Sequence, residues 1–277
     1  MSLRKLAADR AMPVGSADRF AGQVVVVTGA GQGIGKAAAL RIASEAAHVV
    51  VVDRVPESGL AAAEDISRRG YRAGFVQADL STIEGARGAV STILETAGRI
   101  SVLINNVGGT IHIKPFAEYD AKEIEAEISR SLWPTIWMTY AVLPSMLQEQ
   151  SGIIVNVGSN SVRGILRVPY AAAKGGVMSF TTSLALELAD YGIRVNCVAP
   201  GGTVVSDRLT PRNAASEEVA AEAIYREKLD DFVMHQIPMR RRANVEEQAA
   251  AIAFLASPDA SFITGQILSV AGGSTVP

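Results

Sequence analysis

The chain has 277 residues, 48% of them hydrophobic and 19% charged, with a formal net charge of −2. That length and apolar fraction suffice for one large core or two small ones, and the near-neutral balance offers no electrostatic footprint for DNA, RNA or an anionic membrane. No apolar run reaches the roughly 18 residues of a membrane span, and the single cysteine, Cys197, excludes an intrachain disulfide and a thiolate metal cluster.

The first nineteen residues are polar and alanine-rich, without the apolar centre of a secretory signal. They are expected to form a mobile tail ahead of one domain over 20–277, and the default compartment is the cytoplasm. A β-branched run at 24–28 then leads into Thr28-Gly29-Ala30-Gly31-Gln32-Gly33-Ile34-Gly35. A glycine pattern placed between a strand and a helix fits a phosphate-binding turn. Gly29 allows the tight turn, and Gly33 and Gly35 let the backbone approach a pyrophosphate and helix 36–45 pack close. The helix N-terminus offers its N–H groups to the phosphates. Strand 49–53 ends in Asp53, where a carboxylate accepts hydrogen bonds from an adenosine ribose and repels a 2′-phosphate. This favours NAD over NADP, although the adjacent Arg54 is of the type that holds a 2′-phosphate.

Helix 59–69 and strand 74–78 lead to Asp79-Leu80, where Asp79 either meets the adenine amino group or caps helix 83–96. Strand 102–105 runs into Asn105-Asn106-Val107-Gly108, and helix 121–147 contains Pro134. A proline inside a helix removes an N–H and clashes four residues back, which predicts a kink that frees the carbonyl of Arg130. Strand 153–157 is followed by Ser159 and Ser161, of which Ser159 directly follows the strand and is preferred. Tyr170 and Lys174, four apart on helix 170–190, share one face, so an ammonium beside the phenol favours the phenolate and makes it a usable proton acceptor. Strand 194–199 contains Cys197, read as a packed thiol. From Thr203 to Arg242 the pattern is irregular, with prolines at 211 and 238 around a helix-like centre at 217–233, as expected of a substrate lid. Helix 245–256 and strand 266–270 complete the chain. Continuous apolar strands alternating with helices imply right-handed crossovers and an α/β, doubly wound parallel sheet of about seven strands with helices on both faces.

In order and spacing, the glycine turn, Asn105-Asn106-Val107-Gly108, Ser159, Tyr170-x-x-x-Lys174, Arg194-Val195-Asn196 and Pro200-Gly201 resemble the short-chain dehydrogenase/reductase family. The likeness runs from residue 20 to Ile263-Thr264-Gly265-Gln266 and Gly272-Gly273. Leu103 to Thr110, Lys114-Pro115-Phe116, Ser131-Leu132-Trp133-Pro134-Thr135, Arg163-Gly164 and Arg167-Val168-Pro169-Tyr170 sharpen it toward the family's benzoate cis-diol dehydrogenases. The resemblance implies a single-domain Rossmann fold that uses NAD. Tyr170 would be the general base, Lys174 would favour its phenolate and hold the nicotinamide ribose, and Ser159 would hold the substrate oxygen. Gly29, Gln32, Gly33, Ile34 and Gly35 would meet the cofactor, as would Asp53, Arg54, Asp79 and Leu80. Asn106, Val107 and Gly108 would line its groove, and Pro200, Gly201 and Thr203 would flank the nicotinamide. Where many members carry a relay asparagine this chain has Ser131, so a carbonyl near Arg130 and Ser131 is the expected anchor for a relay water.

The implied substrate is an acidic ring diol. Arginine binds carboxylates bidentately, and Arg163 and Arg167, between Ser159 and Tyr170, are the first candidates. Lys114, Arg208, Arg212 and Arg240-Arg241-Arg242 come after them, with Thr110 and His112 also expected near the substrate. Oxidation of such a diol at its secondary carbinol leaves a ketone β to the carboxylate, which loses CO2 to give catechol. Three other readings stand beside this one. They are a dihydrodiol dehydrogenase for cumate or a substituted benzoate, a generic 3-oxoacyl thioester reductase, and an NAD-sensing scaffold. A sensor has no need of the Ser159–Tyr170–Lys174 set. A homodimer or homotetramer built on the long helices is implied, and no nucleic acid, membrane or metal partner is expected, since His48, His112 and His235 are scattered.

Overall fold

The computed structural model describes residues 18–205 and 223–274. Seven parallel strands form one sheet: β1 (Val24–Thr28), β2 (His48–Asp53), β3 (Arg72–Gln77), β4 (Val102–Asn105), β5 (Gly152–Val157), β6 (Ile193–Pro200) and β7 (Ile267–Val270). Their order across the sheet is β3-β2-β1-β4-β5-β6-β7. Val26 lies opposite Val50 on one side and Leu103 on the other. The helices are α1 (Gly33–Ala43), α2 (Pro56–Arg68), α3 (Ile83–Ala97), α4 (Ala121–Ser131), α5 (Trp133–Glu149), α6 (Val168–Leu188), α7 (Ala223–His235) and α8 (Val245–Ala256). The chain reverses its direction of travel across the sheet between β1 and β4, so their carboxyl ends open a crevice where ligands bind in such sheets.

Successive valines of β1 and β2 point to opposite faces, and both faces are covered. Val25, Val27, Val49 and Val51 pack with Ile42, Ile66, Ile252 and Leu255. On the other face Val24, Val26, Val50 and Val52 pack with Ile93, Met138, Met146 and Leu188. Two covered faces are why these strands read as unbroken apolar runs, and each such side chain contributes about 1.5–3 kcal/mol on burial. The edge strand β3 begins two residues before the apolar run suggests, at exposed Arg72, because it pairs only with β2 and needs less burial.

The helix expected over 121–147 is two helices. Leu132 (φ −115°, ψ −54°) separates α4 from α5, and Pro134 sits in the first turn of α5. There a proline's missing N–H leaves nothing unpaired. The Thr135 N–H turns to the Leu132 carbonyl at 3.1 Å, so the expected kink is a full break. Pro169 plays the same part in α6, which starts two residues before Tyr170. Residues 1–17 of the expected tail and residues 206–222 of the expected lid, with Arg208, Pro211 and Arg212, lie outside the described residues.

Packing already begins ahead of residue 20. Phe20 is fully buried, and the Arg19 guanidinium bridges Glu45 and Asp259, with Nη1 2.8 Å from Asp259 Oδ2. Burial pushes the Glu45 carboxyl up, but hydrogen bonds from Arg19 and Arg41 outweigh it and hold the group below the usual carboxylate range. A depressed native pKa means the stabilisation is present above the unfolded value and is lost as pH falls through the native one. Glu45→Gln is therefore expected to destabilise the fold by about 2 kcal/mol at neutral pH. In thermal unfolding the difference should begin to shrink as pH falls below about 4.3, the unfolded value, and vanish only once pH has fallen through the lower native value, where the carboxyl is protonated in both states.

Candidate active site

Two cavities lie at the carboxyl edge of the sheet. The first, about 450 Å³, is lined by Gly29, Gln32, Gly33 and Ile34 of the glycine turn, Asp53 and Arg54 after β2, Asp79 and Leu80 after β3, and Asn106, Val107 and Gly108 after β4. Gly33 opens α1 at φ +61°, a left-handed conformation that costs other residues about 1–2 kcal/mol. A Cβ on Gly35 would stand 2.4 Å from both Asn106 Nδ2 and the Gly29 carbonyl oxygen, so the first turn of α1 can close on β4 only through glycine. No acidic side chain occupies that first turn, which leaves its positive dipole end available to an anion. Asn106 fixes the turn by donating from Nδ2 to the carbonyls of Thr28 (3.1 Å) and Gly29 (3.0 Å).

Asp53 is held at the far end of this cavity. Its Oδ2 accepts the Gly31 N–H at 2.9 Å and its Oδ1 the Val55 N–H at 3.1 Å. Asp79 accepts from the Ser81 hydroxyl (2.7 Å) and N–H (3.0 Å), which holds its carboxyl below the usual range. The cap of α3 is Thr82, whose Oγ1 accepts the Gly85 N–H at 3.1 Å, so Asp79 is not that helix's cap.

The second cavity, about 330 Å³, shares Ile34, Asn106, Gly108 and Val205 with the first. It collects Ser159, Ser161, Arg167, Tyr170 and Lys174, together with Pro200, Gly201 and Thr203 from the end of β6. Lys174 is buried and donates to the Val157 carbonyl at 2.7 Å. A Cβ on Gly108 would come within 2.9 Å of its Nζ. Ser159 ends an extended stretch and caps the short 3-10 turn Asn160–Arg163, its hydroxyl oxygen accepting the Ser161 N–H at 3.0 Å. Arg167 donates from Nη2 to the Ser161 hydroxyl at 2.6 Å and lies over the Tyr170 ring, 5.8 Å from its centroid. Leu166, just before it, adopts φ +62° while its carbonyl accepts the Lys114 N–H at 2.8 Å. Backbone strain of that kind persists where surrounding structure over-determines it.

The model of the short chain dehydrogenase family matches residues 23–217. The chain belongs to the short-chain dehydrogenase family. It is 47% identical over 258 residues to 1,6-dihydroxycyclohexa-2,4-diene-1-carboxylate dehydrogenase of Acinetobacter baylyi, covering 93% of this chain and 98% of that one. The enzyme of the same name from Pseudomonas putida is 44% identical, covering 92% and 93%. A 2,3-dihydroxy-2,3-dihydro-p-cumate dehydrogenase of Pseudomonas putida is 39% identical, covering 92% and 95%. Among solved structures, NAD+-bound xylitol dehydrogenase superposes with a TM-score of 0.81 at 27% identity, covering 92% of this chain and 99% of that one.

Within this short-chain dehydrogenase, several residues expected at the substrate stand elsewhere. Arg163 is exposed and lines neither cavity. His112 is buried behind the wall, edge-on to Tyr119 at 6.1 Å with its Nδ1 3.8 Å from Glu123 Oε1. Lys114 pairs with the same Glu123. Ser131 is wholly buried and lines neither cavity, and its hydroxyl accepts the Gly109 N–H at 3.3 Å. Its neighbours Ser129, Arg130 and Pro134 do line the first cavity. Thr110 lines the second.

Other residues at the site escaped the sequence reading. Arg226, Leu229, Asp230 and Val233 of α7 close one side of the second cavity, where Arg242, one of the cations expected near the substrate, stands 2.8 Å from Asp230. Their spacing of three, four and seven residues marks one helix face, the signal that could have revealed them. Beneath the site runs a buried ladder. Asn105 Nδ2 donates to Thr139 Oγ1 and Asn156 Oδ1, both at 2.9 Å. Asn156 donates to Thr181 at 2.9 Å, and Thr181 to the Val177 carbonyl at 2.8 Å. Such networks rigidify what they join, here β4, β5 and α6 directly below Lys174. Cys197 is the packed thiol expected, its pKa pushed up to about 11 by burial. Among the described residues no helix is long and apolar enough to cross a membrane, and no cluster of His, Cys, Asp or Glu could hold a metal.

Proposed function

We propose that this enzyme oxidises 1,6-dihydroxycyclohexa-2,4-diene-1-carboxylate with NAD, giving catechol and CO2 in the degradation of aromatic acids. The observation that carries this is the Arg167 guanidinium, which lines one cavity with Ser159, Tyr170 and Lys174, and which Arg226 and the Asp230-paired Arg242 also line. Besides its contacts with Ser161 and Tyr170, that charge can hold the carboxylate of an acidic diol, which a neutral alcohol lacks. The names of the relatives at 47% and 44% identity point to the same substrate.

The first cavity fits a dinucleotide, with the amides of α1 toward the phosphates and the Asp53 carboxylate toward a ribose whose 2′-hydroxyl is unmodified. When bound, NAD supplies the acceptor for the hydride that leaves the carbinol carbon. The chain's own groups handle the proton and the orientation. Ser159 already accepts the Ser161 N–H, so its O–H is left to donate to the carbinol oxygen. Tyr170, with the Lys174 ammonium four residues on, takes the carbinol proton. Arg167 holds the carboxylate and so aims the secondary carbinol, rather than the tertiary one, at Tyr170. The resulting ketone is β to the carboxylate. When the bond to CO2 breaks, its electron pair enters the ring as the enolate of catechol, which aromaticity stabilises and which then takes up a proton.

Turnover should be compared across the carboxylated benzoate diol, the cumate diol, an uncharged ring diol and a 3-oxoacyl thioester. The benzoate diol is expected to give the highest kcat/KM, with the uncharged diol at least about 30-fold lower, the value of one or two charge-assisted hydrogen bonds. A preference for the thioester with reduced NADP would contradict the assignment. Asp53→Asn is expected to cut the preference for NAD over NADP by about tenfold or more, as measured by steady-state kinetics with each cofactor. We also infer a homodimer or homotetramer, since Trp133 and Tyr140 of α5 and Leu186 of α6 expose apolar surface. A light-scattering mass of a single chain would contradict that.

A further inference from the structure

We propose that Glu127 is a positioning residue for the diol pocket, one that acts by clamping the loop after β4 to α4. This rests on the reading of the second cavity as the diol site. Glu127 and Ser131 are the buried residues of α4. They lie four apart on one face, and both are polar where a helix ordinarily buries apolar groups. Each is spent on the same loop. Glu127 Oε1 accepts the N–H groups of Ile111 (2.8 Å) and His112 (2.9 Å), and Ser131 Oγ accepts that of Gly109.

That loop needs outside partners because it has no regular structure of its own. Gly108 and Gly109 stand at φ +145° and +148°, values that only glycine adopts readily, and no helix or strand runs from Asn106 to Pro115. Its inward N–H groups would otherwise be buried and unpaired. The same loop presents Gly108, Gly109, Thr110 and Ile113 to the second cavity. Thr110 is buried, and its hydroxyl has no hydrogen-bond partner among the described residues. Its orientation is therefore set by its own backbone, which α4 holds on either side at Gly109 and Ile111.

The clamp carries a cost. Glu127 Oε2 is buried with no hydrogen-bond partner among the described residues, and burial pushes the carboxyl above its usual range, against the pull of His112 and Arg130. An apolar side chain would avoid that cost but could not accept two N–H groups. A single acceptor oxygen suffices for both bonds, so a carboxamide should replace the carboxyl while a leucine should not.

The test compares Glu127→Gln and Glu127→Leu by kinetics and by hydrogen–deuterium exchange of the intact enzyme with saturating NAD. Glu127→Leu is expected to raise KM for the benzoate diol about tenfold or more and KM for NAD by a smaller factor, since Ile111 of the same loop also lines the first cavity. The amides of Ile111 and His112 should exchange at least about tenfold faster than in the unmodified enzyme. Glu127→Gln should restore both readouts. Unchanged exchange and KM in Glu127→Leu would overturn the proposal, as would equal damage to diol and NAD binding in both variants. Should Glu127→Leu fail to fold, exchange in the unmodified enzyme still decides: Ile111 and His112 amides as fast as those of exposed loops would overturn the clamp. If the unmodified enzyme ignores the benzoate diol, the substrate assignment fails while the exchange result judges the clamp separately.

Discussion

Tyr170→Phe is expected to lower kcat by about 10³-fold while leaving the dissociation constant for NAD within about twofold, because the change removes one proton acceptor and little else. The phenol lines the second cavity and not the first, so a fluorescence titration of NAD binding should barely register its loss. Lys174 stays in place, since its Nζ is held by the Val157 carbonyl at 2.7 Å. Residual turnover near that of the unmodified enzyme would show that another group takes the proton. Unimpaired function of every kind would favour a sensor over an enzyme.

The second large effect is expected from Arg167→Ala. If the guanidinium holds the substrate carboxylate, kcat/KM for the acidic diol should fall by about 30- to 150-fold, corresponding to about 2–3 kcal/mol for a charge-assisted pair. The methyl ester of the same diol separates this from a local disturbance. Arg167 also touches Ser161 and covers the Tyr170 ring, and loss of those contacts would slow acid and ester alike. A selective loss for the acid is the expected result. An equal loss for both would transfer the carboxylate to Arg226 or Arg242 and leave Arg167 as a support for Tyr170.

Local patterns were legible in the sequence where one stretch of chain decides the outcome. The valine runs of β1 and β2, the glycine turn and the helical spacing of Tyr170 and Lys174 need no distant partner to be read. The break at Leu132 followed from Pro134, though a kink and a full break differ only in which carbonyl the Thr135 N–H reaches, and that is settled by packing. Side-chain direction in loops was not legible. Arg163 and Arg167 lie in the same segment, yet one points to solvent and the other into the cavity, because the turn at Leu166 and the start of α6 aim only the second. His112 follows the loop expected near substrate, but its ring turns back toward Tyr119 and Glu123. The Asn105–Asn156–Thr181 ladder joins residues from three separate elements, so no window of sequence contains it.

Both the carbon that is oxidised and the fate of the carboxylate are read by following reduced NAD, catechol and CO2 together, with the carboxylated benzoate diol as substrate. The expected result is one of each per turnover, all three lost in Tyr170→Phe. Reduced NAD formed without CO2 would contradict it by showing oxidation that leaves the carboxylate in place, and failure to reduce NAD at all would remove the benzoate diol as the substrate.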